Sequence, residues 1–115
     1  MGFILSQSAG YFWPVTVQMP SDGGRFDKST FEVEFKRLPQ DRVESMIETM
    51  VAGEVKDREI CREIVTGWKG VTDGPGGAAV QFSLSMLDEL LLIPTVAMSI
   101  VKAWMESLSG AARKN

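Results

Sequence analysis

The chain predicts an α+β fold, an N-terminal antiparallel β-hairpin packed on a bundle of about four α-helices. Three observations carry this. Two stretches near the start alternate apolar and polar residues with a period of two. From Pro39 onward the apolar residues recur at helical spacing instead. The two regimes do not interleave, which is the pattern of helices segregated from strands.

Within residues 14–20, Val15, Val17 and Met19 alternate with Thr16 and Gln18; within 30–37, Phe31, Val33 and Phe35 alternate with Glu32, Glu34 and Lys36. Residues 21–29 hold turn-forming side chains throughout, so a hairpin with a wide loop is the economical connection. Pro14 and Pro20 bracket the first strand and suit an edge. An isolated hairpin is marginal, so its apolar face is expected to lie on the helices.

Val43, Met46, Ile47, Met50 and Val51 form one apolar stripe after Pro39, and Gly53 stops that helix. A second helix is predicted from about Asp57, as N-cap, through Ile60, Cys61, Ile64, Val65 and Trp68. Ser83 or Ser85 can cap a third, with Ser85 and Asp88 at capping-box spacing. Pro94 is poorly tolerated inside a helix, which places a break at Leu92–Ile93 and a fourth helix beyond it carrying Val96, Ile100, Val101, Trp104 and Leu108, ended by Gly110. The chain reads as a single domain: an arm over residues 1–13, a hairpin over 14–38, a helical part over 39–110 and a tail over 111–115 expected to fray.

The segment between the second and third helical patterns organises the rest. Residues 70–80 contain four glycines and a proline, with Val71, Val80 and Phe82 as apolar points of attachment and Trp68 as the anchor. It predicts an ordered connector between two packed helices, mobile in its middle.

Composition excludes several functions. The 115 residues carry a net charge of -3, which disfavours an electrostatic nucleic-acid binder. Histidine is absent and Cys61 is the lone cysteine, removing the commonest general base, intramolecular disulfides and cysteine-rich zinc sites. Cys61 falls on an apolar stripe and reads as core. No apolar run approaches the roughly 20 residues of a membrane span, and no secretion signal is recognisable. Met1-Gly-Phe-Ile-Leu-Ser6 satisfies a short myristoylation pattern, a weak signal.

Motifs with chemical potential fail their context. Gly74-Pro-Gly-Gly-Ala-Ala79 follows a helical pattern rather than a strand, so it does not read as a dinucleotide site. Ser99-Ile-Val-Lys102 lacks the companion motifs of Ser-Lys hydrolases. The pairs Glu44/Glu48 and Glu59/Glu63 lie among Arg42, Arg58 and Arg62 and read as ion-paired surface. No enzyme, cofactor or metal site is expected. The seven methionines are a high load. Met46, Met50, Met86, Met98 and Met105 lie on or beside the helical stripes, where thioethers fill core or, as candidate partner-binding residues, adapt to an apolar partner.

Gly67-Trp-Lys-Gly-Val-Thr-Asp73, a small-residue stretch to Phe82-Ser83, a Leu-rich helix, Pro94-x-Val96, Trp104 and Ser109-Gly-Ala-Ala-Arg-Lys-Asn115, preceded by Phe35-Lys-Arg-Leu38, together resemble the tail assembly chaperones of long, non-contractile-tailed bacteriophages. The resemblance covers most of residues 30–115; where many relatives read Pro-Phe-Ser, this chain has Gln81-Phe-Ser. It implies structural anchors at Gly67, Trp68, Gly70, Phe82, Pro94 and Trp104. It further implies a non-enzymatic phage or prophage assembly factor in the bacterial host cytoplasm, absent from the mature virion, that binds the tape measure protein and recruits tail-tube subunits, with self-association open. A ribosomal slip near Arg113-Lys-Asn115, giving a longer fusion, would also fit that family. A minor tail or tail-completion protein and a small bacterial interaction module are the alternative readings.

Overall fold

The computed structural model describes residues 2–110. Its elements are β1 (Gly10–Ser21), a short 3-10 turn (Asp22–Gly24), β2 (Arg25–Lys36), α1 (Gln40–Val51), α2 (Asp57–Ile64), β3 (Val65–Lys69), α3 (Leu84–Leu91) and α4 (Val96–Ser109). The strands form one antiparallel sheet in the order β1-β2-β3. The architecture is α+β, with a third strand where the sequence reading had a purely helical second half.

β1 and β2 pair residue for residue from Gly10↔Lys36 to Ser21↔Arg25. β1 therefore runs longer than expected at both ends, and β2 starts five residues earlier and ends one residue sooner than expected. Residues 10–13, assigned to the arm, belong to β1: Tyr11 and Trp13 continue the inward series of Val15 and Val17, and Pro14 lies inside the edge strand, where a missing N–H is tolerated. The wide loop is a tight one, because Gly23 and Gly24 adopt φ of 75° and 77° and let the chain reverse within the turn.

The second correction concerns residues 65–69. The helix predicted through Trp68 ends at Ile64, and Val65–Lys69 pairs with β2 as Val33↔Trp68, Glu34↔Gly67 and Phe35↔Val65. Thr66 is the extra residue of a β-bulge, so Val65 and Trp68, three apart, both face the core. A regular strand cannot do this, and a helix does it routinely; the bulge imitates helical spacing. Pairing also covers the edge that β2 would otherwise expose. The Gly-rich segment thus joins a strand to a helix rather than two helices.

Remaining boundaries follow local chemistry. Pro39 occupies the N-cap of α1, and its carbonyl accepts from the amides of Arg42 and Val43 at 3.0 Å each. Gly53, at φ 75°, follows its end. Lys56, not Asp57, is the N-cap of α2, with its amide donating to Glu59 Oε1 at 3.0 Å. Ser83 caps α3 by accepting the Met86 amide at 3.1 Å. Asp88 is drawn instead into an ion pair with Arg62. Between α3 and α4 lies a turn, Leu92 to Thr95, that bends the two helices by 108°. Thr95 has φ 73°, a left-handed conformation that costs a β-branched residue on the order of 1–3 kcal/mol. Its carbonyl accepts from the Ser99 amide at 2.9 Å and hydroxyl at 2.8 Å, which offsets part of that cost.

The core is continuous between the inner face of the sheet and the helices. Val15, Val33 and Phe35 meet Ile60, Cys61 and Ile64 of α2, Leu87 of α3, and Ile100 and Trp104 of α4. All are at most 3% exposed. Tyr11 closes one end, edge-on to Phe35 at 5.9 Å, with its hydroxyl 2.7 Å from that of Ser107 on α4. The predicted tail, 111–115, lies outside the described residues.

Candidate partner-binding surface

The Gly-rich segment is a small hairpin in its own right. The Val80 amide donates to the Val71 carbonyl at 2.8 Å and the Asp73 amide to the Ala78 carbonyl at 3.1 Å, with Thr72 and Ala79 bridged. At its tip the Gly77 amide reaches the Gly74 carbonyl at 2.8 Å, and Gly76 takes φ 68° after Pro75. Pro then Gly at the central positions is the signature of a type II turn. The middle of the segment is therefore closed by backbone bonds.

Trp68 fastens this hairpin to the sheet. Its indole N–H donates to the Val80 carbonyl at 2.8 Å, and its ring meets Phe82 edge-on at 5.1 Å and 85°. It is half-buried, so one edge of the indole stays near the surface. Gly70, at φ 86°, turns the chain out of β3 beside Phe31. At Gly67 a side chain would place its Cβ 2.9 Å from Glu34 Oε1. Pro94 stands in the α3–α4 turn and Trp104 is 1% exposed in the core. The six anchors thus fall in three places: Gly67, Trp68, Gly70 and Phe82 act together around the loop, Pro94 shapes the elbow, and Trp104 fills the centre.

The candidate partner-binding methionines divide as well. Met46 is 2% exposed and fills core, so it offers nothing to a partner. Met50 and Met105 are half-buried against the core. Met86 lines a shallow groove of 210 Å³ with Trp68, Val71, Val80, Leu90 and Ile93. Met98 is 59% exposed. Sequence reasoning missed two exposed apolar residues that precede Met98 in the chain: Leu92 at 70% and Ile93 at 40% exposure, on the elbow before α4. Their signal was the proline, which predicts a turn and therefore side chains thrown outward.

Among the described residues two surface ion pairs form, Arg42 with Glu63 and Arg62 with Asp88. Arg42 of α1 holds Glu63 of α2 in a bidentate pair at 2.6 and 2.5 Å. The guanidinium keeps the Glu63 carboxyl below its ordinary pKa of 4.5. A lowered folded-state pKa means that the stabilisation is complete above the ordinary value and lost as pH falls through the folded one. We expect the urea midpoint to drop between about pH 6 and about pH 3 more steeply in the native chain than in Glu63→Gln, measured side by side.

Cys61 is fully buried, its Sγ 3.6 Å from the Ala97 carbonyl. Burial, reinforced by the charge of Asp57, pushes the thiol up to about 12. At pH about 8 the folded protein should therefore show no thiol reactive toward an aromatic disulfide reagent, and guanidinium should release its one thiol.

Among the described residues no group of three or more His, Cys, Asp or Glu side chains is placed to hold a metal ion. No single helix among them is long and apolar enough to cross a membrane. Compared with protein-family models, curated proteins and solved structures, the chain matches none.

Proposed function

We propose that this protein is a non-enzymatic phage tail assembly chaperone that holds the tape measure protein and helps recruit tail-tube subunits during tail assembly in the host cytoplasm. The observation that carries the reading is the elbow between α3 and α4. Leu92 and Ile93, exposed at 70% and 40% in the turn that holds Pro94 and left-handed Thr95, and Met98, 59% exposed in the first turn of α4, put three large apolar side chains in water within seven residues of chain. Scattered exposed apolar residues are ordinary, but a cluster on a stiff turn is a place where another apolar surface is shielded. The unbranched thioether of Met98 suits partners of differing shape. The order of motifs from Phe35 to Asn115 supplies the identity of the partner by resemblance.

Coexpression with a tape measure protein from the same genome is the test. The expected result is a complex that copurifies and a tape measure protein that stays in the soluble fraction. Absence of both overturns the proposal. Recovery of the chain from washed virions would favour a structural tail component instead.

A further inference from the structure

Among the described residues the largest run of exposed apolar side chains is Phe3, Ile4 and Leu5, which are 88%, 71% and 91% exposed in a segment that precedes the sheet. Three consecutive large apolar side chains in water are a liability unless they are covered. The segment has no charged side chain from Gly2 to Gly10.

A groove of matching chemistry lies at the other end of the sheet. It measures 280 Å³, between the distal halves of β1 and β2, the Gly-rich hairpin and the α3–α4 elbow. Val17, Met19, Phe31, Val71, Leu90 and Ile93 line it, and no charged side chain does. An apolar cavity of about 150 Å³ holds a benzene ring. The groove therefore has room for the phenyl ring of Phe3 and an aliphatic neighbour.

Geometry decides which chain's arm can reach it. The arm is pinned at its root: Arg37 donates its amide to the Ala9 carbonyl at 3.0 Å and its Nε to Ser8 Oγ at 3.3 Å. Beyond Ser8 the chain extends to Leu5 over about 10 Å and to Phe3 over about 17 Å when fully stretched. From Gly10 to the level of Phe31, the groove residue nearest the arm's root and paired opposite Val15, the ladder covers about 17 Å, and Ser8 lies two residues further back, about 23 Å in all. A molecule's own arm falls short of its own groove.

We infer that Phe3, Ile4 and Leu5 of one copy dock in the Val17–Phe31–Val71–Leu90–Ile93 groove of a second copy, so that the chain self-associates by arm donation. Each copy offers one arm and one groove. The inference goes beyond the tape measure reading, and its test uses the purified chain alone, so either can fail while the other stands.

Sedimentation of the purified wild-type chain should give a mass above the 12.7 kDa of one copy. Phe3→Ser/Leu5→Ser should sediment as a single copy with a wild-type circular-dichroism spectrum and a thermal midpoint that no longer rises with protein concentration, since the arm makes no core contact. Val71→Asp should do the same from the groove side. Mixing Leu5→Cys with Val71→Cys chains under mild oxidation should yield a mixed disulfide dimer, with buried Cys61 silent. A wild-type mass of one copy, an arm variant that keeps the wild-type mass, or failure of the mixed disulfide to form overturns the inference.

Discussion

Trp104→Ala should lower the unfolding free energy by about 3–5 kcal/mol, the cost of removing a large aromatic side chain from a packed interior. Trp104 is the largest of the fully buried side chains, 1% exposed, on the face of α4 that meets β1 and α2. Its removal leaves a void shared by sheet and helices, and the surrounding β-ladder cannot collapse into it freely. A domain of this size holds in all on the order of 5–15 kcal/mol. The variant should therefore unfold at a much lower urea concentration with a similar slope. Met98→Ala on the same helix, at a position 59% exposed, should stay within about 0.5 kcal/mol of wild type. That pair of measurements separates burial from any general sensitivity of α4.

The second large effect is at Trp68, where the loss should be local. Trp68→Ala removes both the hydrogen bond to the Val80 carbonyl and the edge-on contact with Phe82. About 2–3 kcal/mol is expected for a half-buried indole with one satisfied N–H. Trp68→Phe keeps part of the ring and forfeits mainly the bond, about 1 kcal/mol. Amide exchange reports where the stability goes. The Asp73 and Val80 amides, which close the Gly-rich hairpin, should exchange faster in Trp68→Phe and faster still in Trp68→Ala. Amides in the centre of β1 and β2 should change little in the phenylalanine variant, because their ladder does not pass through the indole.

Those two tryptophans mark how much of the fold could be read from the chain. Trp104 was legible because α4 is a long amphipathic helix with a clean stripe and a glycine stop, and local pattern and tertiary burial agree there. The hairpin was legible for the same reason, although its true length was not. Phe12, an apolar residue on the outer face beneath Lys69, interrupts the alternation, and Pro14 looked like a boundary when it is an edge residue. Trp68 was singled out, and it was wrongly housed in a helix. Its spacing from Ile64 and Val65 fits a helix, and only the bulge at Thr66 lets a strand produce it. Three residues argued the other way: Val65 and Thr66 are β-branched, and Gly67 weakens a helix interior by about 1 kcal/mol. Their weight was too small against periodicity, and the deciding force, the unpaired edge of β2, is tertiary.

The candidate surface was less legible than the fold. Methionine content pointed to adaptable contacts, yet a stripe cannot say which of its members face inward, and Met46 went to the core while Met98 did not. Pro94 places a break at Leu92–Ile93 but does not say which way those side chains face, and in the turn after α3 they are 70% and 40% exposed, the crest of an elbow.

The account stands or falls on that crest. If the proposed function holds, then in coexpression with the tape measure protein the wild-type chain should keep that protein in solution, while Leu92→Ser/Met98→Ser should fold with a wild-type melting profile and leave most of it in the pellet. A double variant that solubilises the tape measure protein as well as wild type does would contradict the assignment of the elbow as the holding surface.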